Sequence, residues 1–501
     1  MSERFPRVAS LKSPARLRAR LDELGCALPC DDEVQSAPES PLAASLCLPD
    51  SGGGPRKLAN RFAIQPMEGW DAEPDGRPSE LTRRRWRRFG VSGAAWIWGG
   101  EAVAVRPDGR ANPNQLLMSE KNAPSIGALR RELVQEADGA VPLVGLQLTY
   151  SGRWSRPTSA GPAPRIAFRH PVLDGRLGID CDDAVFSDGE LRDLVGHFAA
   201  ASALAQAEGF DFVDVKHCHG YLLHELLAAR SRGGAFGGPS LEDRTRLLFA
   251  ILEAVRRAAP GLAIGVRLSV FDAVPHRPSE GRPSQGPSGP DAGGRLGPGV
   301  PEPHPLPYLH GFGLDPEAPE RPLLDEPIAL VRALVGAGVR WINVTAGSPY
   351  TVPHIQRPAA FPPSDGYAPP EDPLRGVARL LGAARALKKA VPECAVLSSG
   401  WSYLQDFLPH VAQACVRDGW FDAVGLGRLA LSYPELPAHV LAGKTLERGR
   451  LCRTFSDCTS APRNGLVSGC YPLDDFYRSR PERQTLEAAK RAAIGGAVSA
   501  R

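Results

Sequence analysis

Eight short apolar segments recur along the chain, most of them separated by stretches whose apolar residues have helical spacing, and this alternation most constrains the fold. The candidate strands span 61–67, 94–100, 142–150, 210–219, 262–270, 339–347, 394–400 and 421–428. Buried-type strands that alternate with helices predict a parallel α/β sheet, and eight repeats predict its closure into a (β/α)8 TIM barrel. A doubly wound open sheet is the alternative, but no glycine-rich dinucleotide motif follows any of these strands.

An N-terminal extension, 1–57, precedes the barrel, which we place at 58–450. The extension should contain a helix that is capped by Ser13, carries Pro14 in its first turn and ends before Gly25. The run at 51–55, Ser-Gly-Gly-Gly-Pro, predicts a flexible joint before the barrel.

Two further segments depart from the barrel rhythm. A Pro- and Gly-rich insertion at 271–325 leaves the end of the fifth strand, on the face where barrel active sites lie. Either it helps to shape that site or it is a tolerated insertion. A C-terminal extension, 451–501, carries cysteines and a predicted helix at 481–494.

The composition is that of a globular protein without a strongly charged surface. Of the 501 residues 43% are hydrophobic and 23% charged, and the net charge is +3. The basic run at 83–88 follows Glu80 and is expected to be the solvated face of a helix, so nucleic acid is not an expected partner. No apolar run is long enough for a membrane span and the N-terminus lacks a secretory core, so we expect a cytoplasmic protein without a membrane partner. The sequence is compatible with a homo-oligomer.

The residues at the strand ends should meet at one mouth of the barrel, and their chemistry suits a flavin. Gln147 can bond a pyrimidine edge, and Arg267 can stabilise negative charge on a reduced ring. Gly400, Gly427 and Arg428 follow the last two strands, where bare backbone N–H groups and a guanidinium suit a phosphate.

Several motifs together resemble the old yellow enzyme or NADH:flavin oxidoreductase family, whose members bind FMN in such a barrel. They are LANRFAIQPM (58–67), PDGRANPNQ (107–115), LQLTYSGR (146–153), FDFVDVKHCHGYLLHELL (210–227), GGPSLEDRTR (237–246), GVRLS (265–269) and FDAVGLGR (421–428). Each motif is weak alone, but their order and their placement at strand ends make the resemblance specific.

The resemblance implies FMN as cofactor, NADH or NADPH as reductant and a role for each strand-end residue. Pro66, Met67, Glu68 and Ala102 would line the isoalloxazine. Gln147 and Arg267 would contact its polar edge, and Gly400, Gly427 and Arg428 would hold the phosphate. Trp70, Trp401 and Tyr403 are candidates for an aromatic lining of the open site.

The fourth strand supplies the residues that the resemblance places beside the acceptor. Lys216 and His219 occupy the positions of a hydrogen-bond donor pair that grips an oxygen of the acceptor. Tyr221 occupies the position of the general acid that protonates carbon. Lys216 departs from the usual His and favours a more anionic acceptor.

Three cysteines after the barrel have the spacing of iron–sulfur ligands in larger relatives that resemble dienoyl-CoA reductase and trimethylamine dehydrogenase. Cys452, Cys458 and Cys470 occupy ligand-like positions, but Phe455 stands where the fourth thiolate is needed. We therefore predict that no metal binds. A cluster completed by another ligand and a zinc site with a borrowed His or carboxylate remain as alternatives.

The sequence thus predicts an FMN-dependent oxidoreductase that takes hydride from NADH or NADPH and reduces an activated C=C bond or a similar small organic acceptor. One alternative is a flavin-dependent dehydrogenase or demethylase that passes electrons to a partner. The other is a flavin-free barrel of the aldolase type, in which Lys216 would form a Schiff base.

Overall fold

The structure is a computed structural model that describes residues 5–279 and 297–499. Its strands are β1 (Leu46–Leu48), β2 (Arg56–Leu58), β3 (Phe62–Ile64), β4 (Trp96–Ile97), β5 (Ala102–Ala104), β6 (Leu143–Thr149), β7 (Phe212–Val215), β8 (Ala263–Ser269), β9 (His276–Pro278), β10 (Gly299–Pro301), β11 (Trp341–Thr345), β12 (Ala395–Ser398) and β13 (Ala423–Leu426).

The helices are α1 (Pro14–Glu23), α2 (Glu80–Gly90), α3 (Ala123–Gln135), α4 (Leu173–Leu177), α5 (Asp188–Ala207), α6 (Leu222–Leu226), α7 (Leu241–Ala258), α8 (Asp325–Gly336), α9 (Pro353–Gln356), α10 (Pro373–Ala390), α11 (Leu408–Arg417), α12 (Leu429–Ser432), α13 (Leu436–Leu441), α14 (Asp457–Arg463), α15 (Asp475–Arg478) and α16 (Glu482–Ser499).

Eight strands close into the predicted parallel barrel. Around the ring the order is β3, β4, β6, β7, β8, β11, β12 and β13, and β13 pairs with β3 to complete it. Each of these strands lies within one of the eight predicted segments. Their residues are buried throughout because the barrel interior covers one face and the surrounding helices cover the other.

The second barrel strand is divided into two segments that share one neighbour. Trp96 in β4 pairs with Leu143 and Ala102 in β5 pairs with Gln147, so both segments lie against β6. Gly99 and Gly100 interrupt the strand. The left-handed backbone of Gly100 (φ 51°) is one that glycine adopts without strain, and a Cβ there would meet the Trp86 ring.

The glycine-rich run at 51–55 is the turn of a β-hairpin, so its prediction as a flexible joint is wrong. Strands β1 and β2 pair in antiparallel register, and the turn between them docks against β8. Ser51 is fully buried and donates from Oγ to the carbonyl of Ile264 at 2.5 Å. The helix expected in the N-terminal extension is confirmed as α1, with Ser13 as its N-cap.

The basic run at 83–88 lies on α2 as predicted, but Arg85 is not on a solvated face. Its guanidinium is buried and bonds Asp71 at 2.6 and 2.8 Å. Glu101 lies on its other side, with Oε1 2.6 Å from Nε. Burial raises the pKa of Glu101 to about 8 and Arg85 opposes that shift, so this buried triad joins α2 to the second barrel strand.

The described part of the 271–325 insertion folds over the side of the barrel mouth. Strands β9 and β10 pair in antiparallel register. Asp272, Tyr308 and His310 line a cavity of about 510 Å³ beside the barrel. Within residues 5–279 and 297–499, no helix combines the length and the apolar character needed to cross a membrane.

Candidate active site

A cavity of about 1120 Å³ opens to solvent where the barrel strands end. The predicted site residues that line it are Pro66, Met67, Glu68, His219, Tyr221, Arg267, Gly400, Gly427 and Arg428. Trp70 and Trp401 line it as well, whereas Tyr403 is buried behind it. The parallel strands bring these residues together because all of them end at the same mouth.

Ala102, Gln147 and Lys216 lie behind the cavity wall rather than on it. Their exposed fractions are 1%, 1% and 2%. None of the described residues of the 271–325 insertion lines this cavity; those residues reach only the smaller neighbouring one. A role for the insertion in shaping the site therefore stays a prediction.

The carboxylate of Glu68 is the polar centre of one wall. Lys216 donates from Nζ to Oε1 at 2.6 Å, and Tyr221 donates from its hydroxyl to Oε2 at 3.1 Å. Trp70 donates from Nε1 to Oε2 at 3.0 Å. Lys216 is thus paired with a carboxylate and buried, rather than presented to a carbonyl substrate in the cavity as a Schiff-base lysine would be.

Two phenols and an indole continue this network. The hydroxyls of Tyr221 and Tyr350 lie 3.2 Å apart, and Trp154 stacks on Tyr350 with ring centroids 4.3 Å apart. Burial, reinforced by the charge of Glu68, raises the pKa of Tyr221 well above its usual value. The hydroxyl therefore keeps its proton at neutral pH. Sequence reasoning missed Tyr350, although an aromatic residue just past the sixth barrel strand was a usable signal.

His219 is fixed by its backbone in a left-handed conformation, with φ 68°. Its N–H donates to Ser269 Oγ at 3.2 Å, and its carbonyl accepts from Ser348 Oγ at 2.9 Å. Burial holds the pKa of His219 well below its usual value, and the nearby charges of Arg267 and Lys216 act in the same direction. The imidazole is accordingly neutral at physiological pH.

A buried carboxylate beneath the cavity organises the predicted flavin-edge residues. Asp214 accepts from Gln147 Nε2 at 2.6 Å, from Trp98 Nε1 at 2.7 Å and from the backbone N–H of Arg267 at 2.7 Å. Burial raises the pKa of Asp214, whereas these donors lower it. Because Gln147 donates an N–H to Asp214, the orientation of its side-chain amide is fixed. Asp214 was not among the predicted site residues.

Small residues leave the backbone open near the last two strands. Gly400 has φ 100°, and a Cβ there would lie 2.8 Å from Leu380 Cδ1. A Cβ on Gly425 would lie 2.5 Å from the backbone carbonyl oxygen of Ser398, so that position too excludes a side chain. Arg428 comes directly after Gly427 and donates from Nη2 to the carbonyl of Pro358 at 2.9 Å. Arg267 Nε and Arg428 Nη1 are buried without a hydrogen-bond partner among the described residues.

The three cysteines of the C-terminal extension are grouped beside the cavity. Cys458 lines it, and burial raises the pKa of the Cys470 thiol well above its usual value, with the nearby Cys452 and Cys458 adding to the shift. Phe455 stacks on Phe361, with centroids 5.4 Å apart. In the described part of the chain no three His, Cys, Asp or Glu side chains are arranged to hold a metal ion. The absence of a metal stays a prediction.

Comparison with known proteins identifies relatives of this chain. The sequence model of the NADH:flavin oxidoreductase / NADH oxidase family matches residues 53–280. An NADPH dehydrogenase from Clostridium acetobutylicum is 29% identical over 209 residues, which are 40% of this chain and 57% of that protein. An NADPH dehydrogenase from Bacillus subtilis is 29% identical over 222 residues, 43% of this chain and 61% of that protein. The chain thus spans about three fifths of the length of these relatives.

Solved structures share the fold. A 2-naphthoyl-CoA reductase bound to 2-naphthoyl-CoA superposes with a TM-score of 0.63 at 16% identity, covering 87% of this chain and 57% of that chain. Morphinone reductase superposes with a TM-score of 0.54 at 18% identity, covering 82% of this chain and 92% of that chain. At these identities the likeness extends to the barrel architecture alone.

Proposed function

We propose that this chain is a member of the NADH:flavin oxidoreductase / NADH oxidase family, whose sequence model matches residues 53–280, and that it is an FMN-dependent oxidoreductase. In this proposal it takes hydride from NADH or NADPH and reduces an activated C=C bond or a similar small organic acceptor. We also propose that it works in the cytoplasm, where both nicotinamides are available. Light scattering of the purified protein will test whether it forms a homo-oligomer.

The proposal depends most on one observation, the convergence of complementary groups on a single cavity. Arg267 and Arg428 each have a buried N–H without a partner among the described residues. Gly400 and Gly427 leave backbone close to Arg428, and the Tyr221 hydroxyl lies in the same cavity. A molecule that carries both a phosphate and an anionic ring edge, as FMN does, satisfies these groups together.

Bound FMN would supply hydride chemistry between the nicotinamide and the acceptor. Arg428 and the backbone around Gly400 and Gly427 would hold its phosphate. Arg267 would meet its polar edge, whereas Gln147, held by Asp214 behind the cavity wall, would support that edge only indirectly. The Arg267 guanidinium adds a positive charge there, which stabilises negative charge on that edge.

Tyr221 holds the proton that the acceptor carbon requires. Its raised pKa keeps the hydroxyl protonated until a basic carbon is formed beside it. Glu68 orients that hydroxyl, and Lys216 offsets the charge of Glu68, so the predicted contact of Lys216 with the acceptor becomes an indirect one. The neutral imidazole of His219 lies on the cavity wall, where a bond to the acceptor oxygen would replace the 3.2 Å contact between its Nε2 and Gln356 Nε2.

Tyr221→Phe tests this assignment by separating the two half-reactions. Reduction by nicotinamide should be nearly unchanged, whereas reoxidation by an electron-poor alkene should slow by roughly 10²- to 10⁴-fold, as expected for a lost general acid. Tyr350→Phe is the matched control, because it removes the neighbouring hydroxyl and leaves the one assigned to proton transfer. Equal slowing of both half-reactions in Tyr221→Phe, or of neither, would contradict the role of Tyr221.

A further inference from the structure

Two arginines of the cavity wall lie next to each other, and neither has a carboxylate partner in the described part of the chain. Arg357 lies just past α9 and Arg428 just past β13, and the carbonyl of Pro358 accepts from Arg428 Nη2 at 2.9 Å. Arg357 Nη1 donates to Thr459 Oγ1, while its Nε and Nη2 are buried with no hydrogen-bond partner among the described residues. Arg428 Nη1 is likewise buried with no hydrogen-bond partner among the described residues. In residues 5–279 and 297–499, no carboxylate forms an ion pair with either guanidinium.

A third arginine of the cavity, Arg463, differs from these two because it has a carboxylate partner. Arg463 pairs with Asp365 and donates from Nη2 to the carbonyl of Pro349 at 2.8 Å. Burial, with Arg463 and Arg428 adding to it, lowers the pKa of Arg357 to about 9, and the group still carries its charge at neutral pH. Two buried positive charges with unsatisfied N–H groups are costly, and a bound anion would compensate both the charge and the missing hydrogen bonds.

We propose that Arg357 and Arg428 together bind one dianionic phosphomonoester, and that Arg357 is a phosphate-binding residue of this cavity. Two guanidiniums match the two charges of such a group, and each can donate two N–H bonds to it. Gly400 and Gly427 leave the nearby backbone uncovered on the same wall. The inference rests on the proposed function, in which the phosphomonoester is that of FMN.

Riboflavin, which lacks only the phosphate, provides the direct test. The apoprotein is titrated with FMN and with riboflavin, and Kd is measured from the quenching of flavin fluorescence. Arg357→Gln and Arg428→Gln should each weaken FMN by roughly 10- to 100-fold, the value of charge-assisted bonds, and change riboflavin by less than about 3-fold. Arg463→Gln is the control, because its guanidinium is already paired, and it should change neither ligand by more than about 3-fold.

Further arms identify the source of the phosphate and guard against misfolding. Inorganic phosphate should raise the Tm of the wild-type apoprotein and of Arg463→Gln, but not that of Arg357→Gln. Arg357→Lys, which keeps the charge, should bind FMN with intermediate affinity. If Arg357→Gln weakens riboflavin as much as FMN, the proposal is overturned. It is also overturned if Arg357→Gln leaves FMN binding intact and raises KM for NADPH but not for NADH. The two arginines would then bind the 2′-phosphate of NADPH.

Failure of the flavin proposal gives a different result. The wild-type apoprotein would then quench neither flavin, while phosphate would still raise its Tm through Arg357 and Arg428. That outcome supports the anion site and removes FMN as its ligand. If phosphate leaves the Tm of the wild type unchanged and FMN binds no more tightly than riboflavin, the anion site itself is excluded.

Discussion

Asp214→Asn is expected to weaken both the fold and flavin binding, although it replaces a single oxygen. Asp214 is fully buried, and its carboxylate accepts three N–H bonds of 2.6–2.7 Å from Gln147, Trp98 and the backbone of Arg267. An Asn side chain offers one acceptor oxygen, and its own N–H groups face the donors on the other side. In either orientation at least one buried donor loses its acceptor.

The size of the effect follows from those contacts. One unsatisfied buried donor costs about 1–3 kcal/mol, and the remaining bonds weaken by about 1 kcal/mol each when the charge is lost. Removing the charge relieves part of the desolvation that raises the pKa of Asp214, so we expect a net loss of about 2–4 kcal/mol in the free energy of unfolding. Urea unfolding of the apoprotein measures it. FMN affinity should fall by roughly 10-fold as Arg267, which lines the cavity, loses the backbone bond that Asp214 accepts.

Trp98→Phe separates the two effects, because it removes one donor and leaves Gln147 and Arg267 bonded to Asp214. It should lower stability and leave FMN affinity within about 2-fold. The reasoning is refuted if Asp214→Asn is as stable as the wild type. It is refuted equally if Trp98→Phe weakens FMN as much as Asp214→Asn does.

Two predictions concern groups outside that network. Because Phe455 cannot ligate iron, protein purified with or without oxygen should lack stoichiometric iron and acid-labile sulfide, and elemental analysis showing about four irons per chain would contradict this. Burial lowers the pKa of His170 to about 3 and that of His217 to about 4, so between pH 4 and the usual value of about 6.5 the unfolded chain binds more protons. The unfolding free energy should therefore fall as pH drops through this window, by up to about 1.4 kcal/mol per pH unit for each His, and a flat profile would exclude both shifts.

The barrel could be predicted from sequence because its signal is local. Each strand is a short run of residues that are buried on both faces, and α7 and α10 show their helical periodicity over 18 residues each. The division of the second strand could not be predicted, since it depends on where Gly100 meets the Trp86 ring. The hairpin at 51–55 was missed because a glycine-rich run looks the same in a flexible joint and in a docked turn.

The candidate site was predictable where residues directly follow strands and much less so where contacts are distant in sequence. Arg85 belongs to a charge run that usually faces solvent, and only the folded chain shows that Asp71 and Glu101 enclose it. Lys216 and Glu68 are 148 residues apart in sequence. Their ion pair, which holds Lys216 away from the acceptor, therefore could not be predicted from the sequence. Arg357 lies in a connecting segment without periodicity, and its importance follows from its unmet N–H groups.

Anaerobic stopped-flow spectroscopy of the FMN-loaded protein tests the central claim most directly. We predict that about one FMN binds per chain, that NADH or NADPH bleaches the flavin absorbance, and that an electron-poor alkene restores it. A protein that binds no flavin, or whose bound flavin neither nicotinamide reduces, would contradict the assignment as an NAD(P)H-dependent flavoenzyme. The barrel fold would stand, but the cavity at its mouth would then serve another chemistry.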